Sequence, residues 1–132
     1  MAQISEVIRE RVTFTVGPDT TVFDAARLMT EHHIGAVPVL RDGKLLGIFS
    51  ERDLMTRVVA LGRGPGSTRV SEVMTAYPRT VPPDETVDNC LFMMKEFGFR
   101  HLPICDGDNV QGIVSLRDII LYQQRLAARE RA

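Results

Sequence analysis

The chain has 132 residues, 44% of them hydrophobic and 25% charged, the proportions of a soluble globular protein whose folding buries roughly two-thirds of the unfolded surface. Sixteen basic against seventeen acidic residues leave a net charge of −1, with eight of each sign up to Gly66 and eight against nine beyond it, so bulk charge draws the chain to neither nucleic acid nor anionic lipid. No apolar run nears the roughly 20 residues of a membrane helix, and the first residues, MAQISEVIRERV, mix acids and bases where a signal peptide is apolar; a cytoplasmic protein without nucleic-acid or membrane partners is expected.

The elements occur twice. Residues 16–54 align without a gap on residues 81–119, about a third of the positions being identical, among them Asp19 with Asp84, Pro38 with Pro103, Gly47 with Gly112 and Asp53 with Asp118. In chain order, Thr21 is placed to cap a helix whose apolar face is Val22, Ala25, Ala26 and Met29. Two β-rich runs, AVPVL and LLGIFS, follow across the turn RDGK and predict a hairpin. A second helix is expected from about Glu51 to Leu61. Gly62–Ser67 then forms a linker, because three glycines and a proline cannot continue a helix.

The second copy repeats the order. A lead-in, Val70-Ser71-Glu72-Val73-Met74, matches Ile4-Ser5-Glu6-Val7-Ile8; Thr86 caps a helix with Val87, Cys90, Leu91 and Met94 on one face; HLPIC and VQGIVS form a hairpin; a helix runs from about Leu116 to Ala127 and frays towards Arg131. Cys90 and Cys105 are too few for a disulfide scaffold and lack zinc-site spacing, so they read as small buried hydrophobes. His32 and His33 are neighbours at a helix end and point apart, which disfavours a shared metal. Two copies of about 60 residues would each be marginal alone, and packing about a pseudo-twofold axis is the natural solution. The boundaries expected are 1–66 for the first repeat with its linker and 67–132 for the second.

The ordered set IGAVPVL, DGKLLGIFSERDL, SEVMT, FRHLPI and GIVSLRD resembles the tandem cystathionine β-synthase (CBS) domain pair, or Bateman module, and is most similar to short stand-alone bacterial members. The resemblance covers nearly the whole chain. It implies an α/β (α+β) fold of two β-α-β-β-α repeats, a regulatory ligand of the AMP, ADP, ATP, NAD or S-adenosylmethionine class in clefts between the repeats, and a homodimer. No catalytic cofactor is expected. With no room for an effector domain, output would pass in trans to an effector protein the sequence does not identify.

Candidate ligand-binding residues follow. Ser50-Glu51-Arg52-Asp53 and Ser115-Leu116-Arg117-Asp118 stand where a strand enters a helix, a place that holds a carboxylate rigidly enough to accept hydrogen bonds from ribose hydroxyls. In the family resembled, that aspartate does this. The same Ser-x-x-Asp is a capping-box pattern, and the two roles are compatible. Gly47 and Gly112 beside the motif support the ligand reading. Arg52 and Arg117 are candidates for phosphate. Ile34, Gly35, Ala36 and Pro38 offer small residues to a flat purine. Their counterparts lead to Arg100, His101 and Pro103, where the family places phosphate-contacting bases in some members, so unequal sites and one principal nucleotide are expected. The backbone near Thr15 and Thr80 is the expected adenine-side wall. No nucleophile with a base and no metal cluster is visible, which speaks against an enzyme; a protein-interaction module that has lost its ligand is the alternative.

Overall fold

The structure, a computed structural model, describes residues 2–131. Its helix starts follow the capping threonines: Thr21 Oγ1 accepts from the Asp24 amide at 3.1 Å and Thr86 Oγ1 from the Asn89 amide at 3.1 Å. They open α2 (Val22–Glu31) and α5 (Val87–Phe97). Each helix buries three residues of the expected stripe, Val22, Ala25 and Met29 in one and Val87, Cys90 and Met94 in the other, and leaves the fourth, Ala26 and Leu91, half-buried. Gly98 ends α5 in the left-handed region at φ 73°, which a side chain would strain.

Both hairpins form as expected. Strand β1 (Ala36–Arg41) pairs antiparallel with β2 (Lys44–Ser50), with a register shift between Val39 and Leu40, and β4 (His101–Asp106) pairs with β5 (Asn109–Ser115). The opening strand of each implied β-α-β-β-α repeat shrinks to one parallel bridge, Val16 to Val39 and Val81 to Ile104. Gly17-Pro18 and Pro82-Pro83 follow these valines, and proline has no amide to extend a ladder.

The second helix of the first repeat departs from expectation. Only Glu51–Asp53 (α3) is α-helical; Leu54–Val59 continues as a π-helix, the Ala60 amide reaching the Met55 carbonyl five residues back. Its counterpart α6 (Leu116–Arg131) is a regular helix and runs beyond the expected end. The linker is not slack: Phe23 N–H donates to Pro65 O and Val22 N–H to Thr68 O, satisfying amides of the first turn of α2.

The lead-ins change partners. The chain forms two compact units: one gathers the residues up to Thr13, Arg79–Gly107 and those from Gln111 onward; the other holds Phe14–Pro78 with Asp108–Val110. Each unit therefore joins the body of one repeat to the lead-in of the other. In the second-repeat unit the N-terminal helix α1 (Ile4–Val7) buries Ile4, Val7 and Ile8 among Val81, Val87, Cys90, Leu102, Ile104, Val114 and Ile119. In the first-repeat unit α4 (Val70–Val73) buries Val70 and Val73 among Val16, Val22, Ala25, Val37, Val39, Phe49 and Val58.

The same hydrogen bonds recur in both units. Ile4 N–H donates to Glu85 O and Ser5 N–H to Pro83 O in one; Val70 N–H donates to Thr20 O and Ser71 N–H to Pro18 O in the other. Burying one such valine or isoleucine is worth roughly 1.5–3 kcal/mol, so each lead-in is a part of the core it enters. A further strand, β3 (Thr75–Ala76), continues α4 and adds to β2 to complete a three-stranded sheet.

Candidate functional site

Both Ser-x-x-Asp turns close as capping boxes. Ser50 N–H donates to Asp53 Oδ2 at 3.0 Å while Asp53 N–H donates to Ser50 Oγ at 3.2 Å; Ser115 N–H donates to Asp118 Oδ2 at 2.8 Å while Asp118 N–H donates to Ser115 Oγ at 3.0 Å. The capping role read from sequence is thus realised in both copies.

Beyond the cap the two aspartates differ. Asp53 is 5% exposed. It also accepts from Ser50 Oγ at 3.1 Å and from Thr75 Oγ1 at 3.2 Å on Oδ1, and Arg57 Nε lies 3.6 Å from Oδ1. Both oxygens are engaged inside the protein. Asp118 keeps 20% of its side chain exposed, and its bonds, from the Ser115 amide and from Arg11 Nη1 at 2.8 Å, both fall on Oδ2. Oδ1 takes none among the described residues. Burial pushes the Asp118 carboxyl up, but the Arg11 hydrogen bond and the Ser115 bonds outweigh it and hold the group below its usual value.

Beyond the capping serines and Arg57, which stands on the helix of Asp53 itself, the residues that touch the aspartates come from the exchanged lead-ins: Thr75 follows Val70–Val73, and Arg11 follows Ile4–Val7. Neither was a sequence candidate. Glycines do more than was expected of them. A Cβ on Gly47 would stand 2.6 Å from Thr75 O and 2.8 Å from Met74 Sδ, and one on Gly112 would stand 3.0 Å from Ile8 Cδ1. Their bareness admits the lead-in. The paired occurrence of SEV and Gly in both repeats was the signal, but it does not say which lead-in meets which glycine.

The remaining candidates divide cleanly between the units. Thr15, Ile34, Gly35, Ala36, Pro38, Ser50 and Arg52 share the unit of Asp53, and Thr80, Arg100, His101, Pro103, Ser115 and Arg117 that of Asp118. Ala36, Pro38 and Pro103 are buried, Ile34, Gly35 and His101 half-buried, and Arg52, Arg100, Arg117, Thr15 and Thr80 exposed. Backbone bonds tie the candidate loops to the helix starts: Glu51 N–H donates to Gly35 O and Leu116 N–H to Arg100 O, each at 2.9 Å. The sequence feature IGA/FRH therefore lies beside Ser-x-x-Asp in both repeats. His32 stacks on Phe14 with ring centroids 3.8 Å apart. Among the described residues no group of three or more His, Cys, Asp or Glu side chains could hold a metal, and no helix is long and apolar enough to cross a membrane.

The CBS domain family model matches residues 4–60 and 70–125. The chain is 37% identical over 123 residues to the CBS domain-containing protein YhcV of Bacillus subtilis, covering 93% of this chain and 86% of that one. It is similar in structure to a CBS-domain containing protein from Agrobacterium tumefaciens, with a TM-score of 0.84, 33% identity and coverage of 92% of this chain and 99% of that one. It is also similar to a hexameric CBS-CP12 protein from bloom-forming cyanobacteria, with a TM-score of 0.83, 28% identity and coverage of 91% and 71%.

Proposed function

Because the chain belongs to the CBS domain family and carries the domain twice, we propose that it is a regulatory module that binds an adenine nucleotide at Asp118 and passes the signal in trans. The observation that carries the reading is the state of that carboxylate. It is fixed at a helix start by the Ser115 capping box, partly exposed, and has one oxygen clear of hydrogen bonds among the described residues, and the Arg11 and Ser115 bonds hold its carboxyl below the usual value. A ribose diol needs such an acceptor. Arg100 and Arg117, both exposed and in the same unit, supply positive charge for phosphates.

Asp53 supports a subordinate role for the first-repeat unit. A diol entering there must displace Thr75 and contend with Arg57, whereas at Asp118 one oxygen is open. The expected outcome is one principal nucleotide per chain. The same engagement of Asp53 favours the second reading, a constitutive interaction module, for the first-repeat unit alone. Assembly into a homodimer fits the reading, and one structural relative is described as hexameric.

Calorimetric titration with AMP, ADP, ATP, NAD and S-adenosylmethionine tests the proposal. Binding of at least one at about one per chain, lost in Asp118→Ala and largely kept in Asp53→Asn, is the expected result. Silence from all five, with no shift in thermal unfolding at millimolar ligand, would leave the interaction module as the function. A ligand at 100 times its dissociation constant adds about 2.7 kcal/mol to the native state, which such a shift would reveal.

A further inference from the structure

The Asp118 site has a cation that the reading above leaves without a task. Arg11 places Nη1 2.8 Å from Asp118 Oδ2, with 44% of its side chain exposed. The backbone is shaped for this: Glu10 takes the left-handed conformation at φ 65° and Arg11 N–H donates back to Ile8 O, ending the lead-in in a turn. A non-glycine residue there is uncommon and costs some strain. Of the five N–H donors of the guanidinium, only the one on Asp118 is engaged among the described residues.

The first-repeat unit solves the same problem differently. Its aspartate has its cation on its own helix, Arg57, whose Nη1 is already committed to Met74 O at 2.9 Å and Val73 O at 3.5 Å. The repeat puts Tyr122 where that arginine would be in the second copy, and the Tyr122 hydroxyl donates to Glu6. The second-repeat unit thus imports its cation from the lead-in, and imports it with donors to spare.

We infer that Arg11 is the specificity-determining residue of the Asp118 site, selecting ligands that carry a phosphate over bare nucleosides. The inference rests on the reading of Asp118 as ribose acceptor. A phosphate brought near an ionised carboxylate is repelled unless a cation stands between them, and a guanidinium can hold both with its fork of donors. A nucleoside must share Oδ2 with Arg11 and offers the arginine nothing in return. A nucleotide offers it a phosphate, a charge-assisted partner worth about tenfold or more in affinity.

Titrating the full chain with AMP and with adenosine tests this in the unmodified protein and in Arg11→Gln, Arg11→Lys and, as a charge control in the other unit, Arg27→Gln. The expected result is AMP bound at least about tenfold tighter than adenosine, the ratio falling in Arg11→Gln, through loss of AMP affinity, to what Arg100 and Arg117 alone provide, partly kept in Arg11→Lys and unchanged in Arg27→Gln. An Arg11→Gln protein that keeps the original ratio, or that binds both ligands more tightly by one factor, overturns the inference and makes Arg11 a tether only. Adenosine bound as tightly as AMP by the unmodified protein also overturns it while leaving the ribose reading intact. Binding of neither ligand removes the ribose reading and this inference with it.

Discussion

Arg11 and Asp118 form the ion pair that ties the N-terminal lead-in to the second repeat, and its pH dependence follows from the carboxyl. Its folded value is held below the ordinary 3.8, so its contribution is complete above that value and is lost as pH falls through the lowered one. Arg11→Gln is expected to cost roughly 0.5–1 kcal/mol at pH 7, as for a partly exposed pair. The deficit should shrink at successive pH values below 3.8, which urea unfolding measures. Cys90 is a buried hydrophobe, as expected, whereas Cys105 is half-buried: burial, then the Glu85 charge, pushes the Cys90 thiol up to about 12, and burial raises Cys105 as well. Since the thiolate is the nucleophile, a thiol reagent at mildly alkaline pH should modify half-buried Cys105 slowly and Cys90 only on unfolding, as mass spectrometry of the peptides would show.

At the scale of elements, the meeting of lead-in and hairpin leaves no room for a side chain at Gly47. Gly47→Ala drives a methyl group into Thr75 O, which is backbone and cannot swing aside, and should cost about 1–3 kcal/mol. Gly112→Ala meets the tip of the Ile8 side chain and should cost less; denaturant midpoints of the two variants check the order. Helices α2 and α5 and both hairpins were legible because their periods of 3.6 and 2 are written in Val, Ala and Met spacing and in short β-branched runs. The π-helical turn at Leu54–Val59 was not, since its residues carry an ordinary helical pattern. What accompanies it is one tertiary contact, Arg57 reaching carbonyls of the lead-in, and one local bond, the Thr56 hydroxyl donating back to Arg52 O. Likewise the Ser-x-x-Asp turns were visible, but Thr75 and Arg11 were not, because nothing local marks a residue that acts on a motif 22 or 107 positions away.

For the molecule as a whole, the exchange of lead-ins decides which part depends on which end. Deleting residues 1–13 removes Ile4, Val7 and Ile8 from the core of the second repeat and no residue from the core of the first. Amide hydrogen exchange should therefore show β4 and β5 losing protection while β1 and β2 keep theirs, although the deletion lies next to the first repeat in sequence. The family model matches residues 4–60 and 70–125, and each compact unit draws on both segments. A half-chain of about 65 residues would carry a lead-in with no body to enter and a body with no lead-in to receive. Two such halves would complete each other only by trading arms. The lead-ins at Ile4 and Val70 therefore make the pair of repeats, and not the single repeat, the smallest piece of this chain with both cores complete.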